Sequence, residues 1–338
     1  MILNRPLVKF LGVLCAEIGK LMLRRLKIPL VLLAICFLSD FSYAGRLGCE
    51  DDLPNCGVND YVFMQDTTGS IIKSNYVPKW YDMFSNIPGD WLEWSKETFQ
   101  VKNIPAIAGM SILTASLIAT DYQSWQAEKK WDDESPAFHR INKWLVFTGD
   151  GRFQFGIVGI FAAYGFAFND ARALRTASQT TEAILACGGV VQLLKHITGR
   201  ESPFVSTKRT GAWRFFPNQI DYARHVPHYD AFPSGHIATA MTTLIVIAEN
   251  YDELAWLKPA GYVVLGMISS SLVATGIHWW SDIPLGLSLG YAFGEIASHP
   301  RGIYILDKTD ENGTKTKLSF SPSLMPDGGF GIGFSLSF

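Results

Sequence analysis

No surplus of positive charge marks this chain: 29 Lys and Arg face 31 Asp and Glu across 338 residues, a formal net charge of −2. Proteins that track a nucleic-acid backbone carry a basic excess, so that class is set aside. Cysteine is sparse, with five residues in all. His225 and His228 have a spacing that suits a metal, but no cysteine or carboxylate cluster completes a ligand set, and the pair reads as part of a solvated loop. Gly149-Asp150-Gly151 lacks the following Lys-Ser/Thr of a phosphate loop and reads as a turn. Long apolar runs are missing too: most extend over roughly 14–17 residues, at or below the about 20 that a membrane span needs.

What the chain does have is core-forming material. Hydrophobic residues make up 48% of it, with 22 Phe and 10 Trp, enough for one large or two small domains. Residues 1–44 read as a targeting region. Arg24-Arg25-Leu26-Lys27 is a basic segment, 28–38 is an apolar run of signal-peptide length, and Ser42-Tyr43-Ala44 is a small-x-small cleavage site. Met22 stands directly before this unit as an alternative start. An exported chain matures in an oxidising compartment, where Cys49 and Cys56 are expected to form a small-loop disulfide. Cys187, amid Ala and Gly, is expected to be a buried small hydrophobe.

Residues 45–103, polar and aromatic with Gly and Pro, predict an irregular lead with short helices. The region 104–300 is a series of apolar segments, at 104–120, 155–168, 181–195, 236–249, 262–277 and 283–298, separated by charged connections. This pattern predicts an all-α, six-helix bundle. In the tail, 301–338, the stretches 315–321 and 331–338 alternate around Pro326-Asp327-Gly328-Gly329 and predict a β-hairpin. If all six segments crossed a bilayer after cleavage, Arg172 and Arg175 would face outward, against the positive-inside tendency. An exported bundle, soluble or resting on a membrane, avoids that conflict, while a tilted integral bundle remains the alternative.

Three polar clusters sit at helix junctions. They are Lys195-His196-Ile197-Thr198-Gly199-Arg200-Glu201-Ser202-Pro203, then Asp230-Ala231-Phe232-Pro233-Ser234-Gly235-His236, then Gly276-Ile277-His278-Trp279-Trp280-Ser281-Asp282. In an up-and-down bundle these junctions share one end, so they can converge. Ser234 and Gly235 open a helix whose free N–H groups and positive dipole end attract an anion, and Lys195 adds a point charge. His278 can attack phosphorus as a neutral imidazole, with Asp282 fixing its tautomer. His236 can protonate the departing oxygen and then activate water. Singly, each feature has a plainer reading: Pro-Ser-Gly-His as an ordinary helix cap, His278 as a core histidine. Asp121, Trp125, Trp131 and Trp213 are candidates either for the lining of a lipid entrance or for ordinary packing.

These clusters resemble the type 2 phosphatidic acid phosphatase and vanadium haloperoxidase superfamily, over roughly residues 104–298. That family's pattern is Lys, six residues, Arg-Pro; Pro-Ser-Gly-His; and Ser-Arg, five residues, His, three residues, Asp. The resemblance implies a helical bundle, with His278 as nucleophile, His236 as general acid, Asp282 as orienter, and Lys195, Ser234 and Gly235 binding phosphate. No metal or other cofactor is implied for the phosphatase branch. Two positions depart from the pattern: Ser202 and Leu272 stand where the family has arginine. Arg200 is the expected substitute, with Arg209, Arg214 and Lys208 as others. The expectation is therefore an exported, periplasmic phosphohydrolase, membrane-associated or integral, that acts on a phosphomonoester or diphosphate of a phosphorylated lipid or small phosphoester. The rivals are a non-catalytic phospholipid or polyprenyl-phosphate binder of the same fold and a vanadate-dependent haloperoxidase.

Overall fold

The computed structural model describes residues 78–299 together with the strand segments 64–65, 71–72, 304–309, 315–324 and 330–337. The targeting region and the expected Cys49–Cys56 disulfide lie outside the described residues. The described chain is mostly helical. Its longer helices are α1 (Ile87–Thr98), α2 (Ile104–Glu134), α3 (Pro136–Gly149), α4 (Gly151–Phe168), α5 (Ala171–Thr198), α6 (Gly235–Asn250), α7 (Leu257–Ala274) and α8 (Ile283–Ser298). In the tail, Tyr304–Thr309, Lys315–Leu324 and Phe330–Ser337 pair antiparallel in sequence order.

Local chemistry sets the helix ends. The side chains of Ser135, Asp150 and Asp170 accept hydrogen bonds from the first-turn N–H groups of α3, α4 and α5, satisfying donors that no intrahelical carbonyl reaches. Proline stands in the first turn of α2, α3 and α8, where its missing N–H costs nothing. The long α5 stops at Gly199, which is left-handed at φ 52°. A methyl at that position would lie 2.1 Å from the carbonyl oxygen of Arg214. Glycine is thus required both by the backbone angle and by the returning loop.

The core is the packing of α5, α6 and α8. Ala186, Cys187, Val190 and Val191 of α5 meet Ala238 of α6 and Leu289 and Phe293 of α8, all buried. Burial pushes the Cys187 thiol up to about 12, which makes it an inert small hydrophobe. Between α6 and α8 the backbones come unusually close through a glycine ladder. Methyls at Gly286, Gly290 and Gly294 would meet Ser234 O at 2.6 Å, Ala238 O at 2.3 Å and Ile245 Cβ at 2.7 Å. The contacts climb both helices in the same direction, so α6 and α8 run parallel and their N-terminal ends lie together.

The ends of α5 are fixed independently. At its start, Arg172 and Arg175 reach the far end of α6, where Arg175 Nε donates to Asn250 Oδ1 at 2.9 Å and Arg172 stacks on Tyr251 at 3.9 Å. Its far end carries Lys195 to the opening of α6. The α5 and α6 helices are therefore antiparallel, and all three polar clusters fall at one end of the bundle.

Each apolar segment read from the sequence lies largely within a helix; the 262–277 run outlasts α7, which ends at Ala274. Among the described residues, two further long helices appear. The first, α1, lies in the lead segment and packs on the core: Trp94 stacks on Phe293 at 5.7 Å, and Trp91 Nε1 donates to Ala186 O at 2.9 Å. The second, α3, joins α2 to α4. Three helical segments (Val101–Glu134, Gly151–Phe168 and Leu257–Ala274) are long and apolar enough to cross a membrane. None of the apolar window of the first, and 11% of that of the second, is buried within the protein. Eighteen residues at 1.5 Å each extend about 27 Å, close to the hydrocarbon thickness of a bilayer. The short runs read from the sequence were broken by single polar residues that a helix tolerates.

Candidate functional site

His278 and His236 face one another, with ring centroids 5.6 Å apart and planes at 73°. His236 sits in the first turn of α6, and His278 in the loop that leads into α8. The parallel pairing of those helices makes the two meet: Ser234 N–H donates to Asp282 O at 3.0 Å, tying the two helix starts together. His278 is 2% exposed.

The imidazole of His278 is held by a backbone carbonyl. Its Nδ1 lies 2.8 Å from Ala231 O. A carbonyl only accepts, so Nδ1 carries the proton and Nε2 keeps a free lone pair. The sequence assigned this orienting role to Asp282, but Asp282 Oδ2 is 3.6 Å from Nδ1, beyond a good hydrogen bond. Its carboxylate is engaged elsewhere, accepting from Trp279 N–H at 2.7 Å and from Arg200 Nη1 at 2.5 Å. Asp282 thus clamps the loop that bears His278, while Ala231 fixes the ring.

Lys195 lies at the base of this arrangement. Its Nζ would be 3.7 Å from a methyl at Gly235 and is 3.3 Å from Asp230 Oδ2. The Oγ of Ser234 faces the N–H of Ile237 at 3.5 Å, a long cap that leaves the first N–H groups of α6 largely unspent. The expected phosphate binders Lys195, Ser234 and Gly235 are therefore brought together with the two histidines.

Burial, reinforced by His278 and Lys195, lowers the pKa of His236 to about 4, and burial together with Lys195 lowers that of His278 to about 3. Both imidazoles are therefore neutral in the empty site at pH 7. Burial raises Asp282 to about 6 despite the Arg200 guanidinium beside it.

The structure does not put Arg200 among the phosphate binders. It is 0% exposed. Nη1 donates to Ser281 Oγ at 2.6 Å and to Asp282, while Nη2 donates to Asp121 Oδ2 at 2.8 Å and to Thr210 O at 3.0 Å. The four terminal N–H bonds are thereby consumed, and the guanidinium also lies 4.7 Å from the Trp213 ring. Arg214 is committed to Glu201 Oε1 at 2.7 Å and His228 O at 3.2 Å. Arg209 lies 5.0 Å from the Tyr122 ring. At the two departing positions, Ser202 is 3% exposed and Leu272 is 0% exposed. The Leu272 carbonyl accepts from Ile277 N–H at 2.9 Å, so this residue closes the end of α7 as a core side chain.

Sequence reasoning named Asp121 and Glu201 but not their role, which is to hold these loops. Glu201 accepts from the N–H groups of Thr207 and Ala212 at 2.9 and 2.8 Å. Burial alone would raise it, yet these bonds and Arg214 hold it down at about 2. Asp121 accepts from Ser281 N–H at 3.1 Å in addition to Arg200. The one signal available was position: a carboxylate directly after an apolar run, and another beside an arginine at a helix exit. Asp121 and Trp213 belong to this scaffold, and Trp125 packs edge-on against Trp279 at 5.7 Å, so each has a packing role. His225 pairs with Asp221 at 2.8 Å, and among the described residues no cluster suits a metal ion.

With this geometry in place, comparison with known proteins narrows the class. Residues 178–300 match the family model of the PAP2 superfamily, which spans all three clusters. The resemblance read from the motifs therefore holds over that segment. A lipid A 1-phosphatase of Porphyromonas gingivalis is 30% identical over 89 residues, 26% of this chain and 20% of that protein. This chain therefore spans about a fifth of that relative's length. Among solved structures, Aquifex aeolicus LpxE is similar at 20% identity, covering 48% of this chain and 86% of that one, with a TM-score of 0.37. The first transmembrane PAP2 type phosphatidylglycerolphosphate phosphatase from Bacillus subtilis is similar at 13% identity, covering 64% and 94%, with a TM-score of 0.35.

Proposed function

We propose that this protein is a membrane-associated phosphohydrolase that removes a phosphoryl group from a phosphomonoester or diphosphate, carried on a lipid, through a phosphohistidine at His278. One observation carries the reading: Ala231 O holds the proton on His278 Nδ1, which leaves the lone pair on Nε2, in a ring whose centroid is 5.6 Å from that of His236.

In the first step Nε2 of His278 attacks phosphorus, the bond from phosphorus to the leaving oxygen breaks, and a proton on His236 passes to that oxygen. In the second, neutral His236 takes a proton from water, the resulting oxygen attacks phosphorus, the N–P bond breaks, and phosphate leaves. His236 is neutral in the empty site, so its proton arrives with substrate: an incoming phosphate dianion favours the imidazolium. Lys195 and the open N–H groups at the start of α6 stabilise charge on the equatorial oxygens, which is most of what such a transfer requires.

The lipid character of the substrate is supported by the exposed apolar faces of α2, α4 and α7, and by the lipid A phosphatase relative. Export to the cell envelope rests on the leader read at 1–44. A non-catalytic phospholipid or polyprenyl-phosphate binder is the second reading, and the core burial of Leu272 favours it, because no guanidinium can reach the site from that position. The test is phosphate release in detergent from lipid phosphomonoesters and diphosphates, with samples divided between alkaline and acid quench. Turnover that His278→Ala abolishes, together with an acid-labile phosphoprotein accumulating in His236→Ala, is the expected result. Lipid binding without release from any of these substrates would establish the binder instead.

A further inference from the structure

With both family arginines replaced and Arg200 spent, a guanidinium that keeps free donors stands on the His236 side, on the connection between α3 and α4. Gly149 packs against the acid residue: a methyl there would lie 3.5 Å from His236 Cβ, and Thr239 Oγ1 donates to Gly149 O at 3.4 Å. The next residue, Asp150, caps α4 and grips Arg152 in a fork. Arg152 Nε donates to Oδ1 at 2.9 Å and Nη2 to Oδ2 at 3.1 Å. The fork fixes the plane of the guanidinium and uses two of its five N–H bonds. Three remain, and the side chain is 84% exposed. Arg200 presents the opposite case, with its terminal donors used and no exposed surface.

We propose that Arg152 is a specificity-determining residue that contacts the leaving-group side of the substrate and selects substrates carrying a second phosphate next to the one transferred. The inference rests on the phosphohydrolase reading above, in which His236 protonates the leaving oxygen and its neighbours therefore face the leaving group. A guanidinium held in plane by a carboxylate, with a free edge, matches a tetrahedral oxyanion bidentately. A neutral alcohol leaving group gives it nothing to bind. Asp150 is held low first by its bonds to Arg152, and protonation of His236 would hold it lower still.

The experiment compares kcat/KM for a lipid diphosphate and the matching lipid monophosphate in the full chain, for wild type, Arg152→Ala and Arg152→Lys. The ratio of diphosphate to monophosphate is expected to fall about 10- to 100-fold in Arg152→Ala, the loss of one charge-assisted pair, and to be only partly restored by Lys. An unchanged ratio overturns the proposal even if both rates fall. If wild type releases phosphate from neither substrate, the phosphohydrolase reading fails separately, and titration with inorganic pyrophosphate and phosphate decides the role of Arg152. Tighter pyrophosphate binding that Arg152→Ala reduces to the phosphate level supports the proposal, and equal binding in both proteins refutes it.

Discussion

Replacing Arg200 by alanine separates two accounts of this site. As a phosphate ligand, Arg200 would be dispensable for folding, and its loss would appear as a slower reaction in a protein of normal stability. The structure instead makes it the common partner of Asp121 on α2 and Asp282 before α8, at 2.8 and 2.5 Å, with none of the three exposed. Removing the guanidinium leaves two buried carboxylates facing one another and opens a void beneath Trp213. Breaking a buried ion pair from one side costs about 3–5 kcal/mol, because the remaining charge has neither water nor a partner. Partial protonation of Asp282, already near pH 6 in its pKa, offsets part of this cost and places the result toward the lower end.

Thermal unfolding in detergent, followed by circular dichroism, reads the effect without reference to activity. A loss of about 3 kcal/mol is a large fraction of the 5–15 kcal/mol that holds an ordinary domain, so the transition should move down by many degrees. Arg200→Lys keeps one charge but not the fork and should fall between the two. Adding Asp121→Asn to Arg200→Ala should recover part of the loss, since one orphaned charge is then removed. A variant that unfolds with wild-type behaviour and is merely slow would refute this account and restore Arg200 to the phosphate.

Three further outcomes follow from the geometry. Gly290→Ala should destabilise the bundle by about 1–3 kcal/mol in the same unfolding assay, the usual cost of overpacking, because its methyl would sit 2.3 Å from Ala238 O; Gly266→Ala, where nothing lies within 4 Å, should be silent or mildly stabilising. Binding of phosphate or vanadate near pH 7 should take up protons and weaken as pH rises, since His236 is neutral in the empty site and charged beside the anion; calorimetry in buffers of different ionisation enthalpy measures this, and an absence of proton exchange contradicts it. Both histidines have folded pKa values below the usual 6.5, so their neutral forms contribute stability that is fully present above pH 6.5 and is lost as pH falls through about 4 for His236 and about 3 for His278; in His236→Gln and His278→Gln the acid limb of the stability curve should flatten.

The meeting of the three clusters was legible because it depends on connectivity and helix count alone. The first two clusters bracket one loop, and the third is a helical hairpin away, so any antiparallel excursion through α6 and α7 returns to the same end. Helix α3 did not disturb this, since it enters before the first cluster. Its own existence was hidden: 136–149 mixes charge with Trp and Phe and has no long apolar run, and its face becomes apolar only when it is wound on α7. Helix α1 was obscured in the same way, by a polar sequence whose Trp91 and Trp94 find partners on α5 and α8, far along the chain.

The role of Arg200 could not be read from spacing, and the reason is physical. A sequence motif records which residue type stands near a position, whereas a guanidinium is defined by how many of its donors are already spent. Arg200 lies two residues from the expected arginine, yet Gly199, in its left-handed conformation, turns the chain at that point. The strand-like bridge of Arg200 with Trp213 and Asp230 then directs its side chain inward, to carboxylates contributed from residues 121 and 282. Arg152 shows the converse. Nothing in Gly149-Asp150-Gly151-Arg152 announces a substrate contact, and only the packing of Gly149 on His236 points to the exposed fork that follows it. Which arginines are left to meet a substrate is therefore decided by the donors each keeps free, wherever it lies in the sequence.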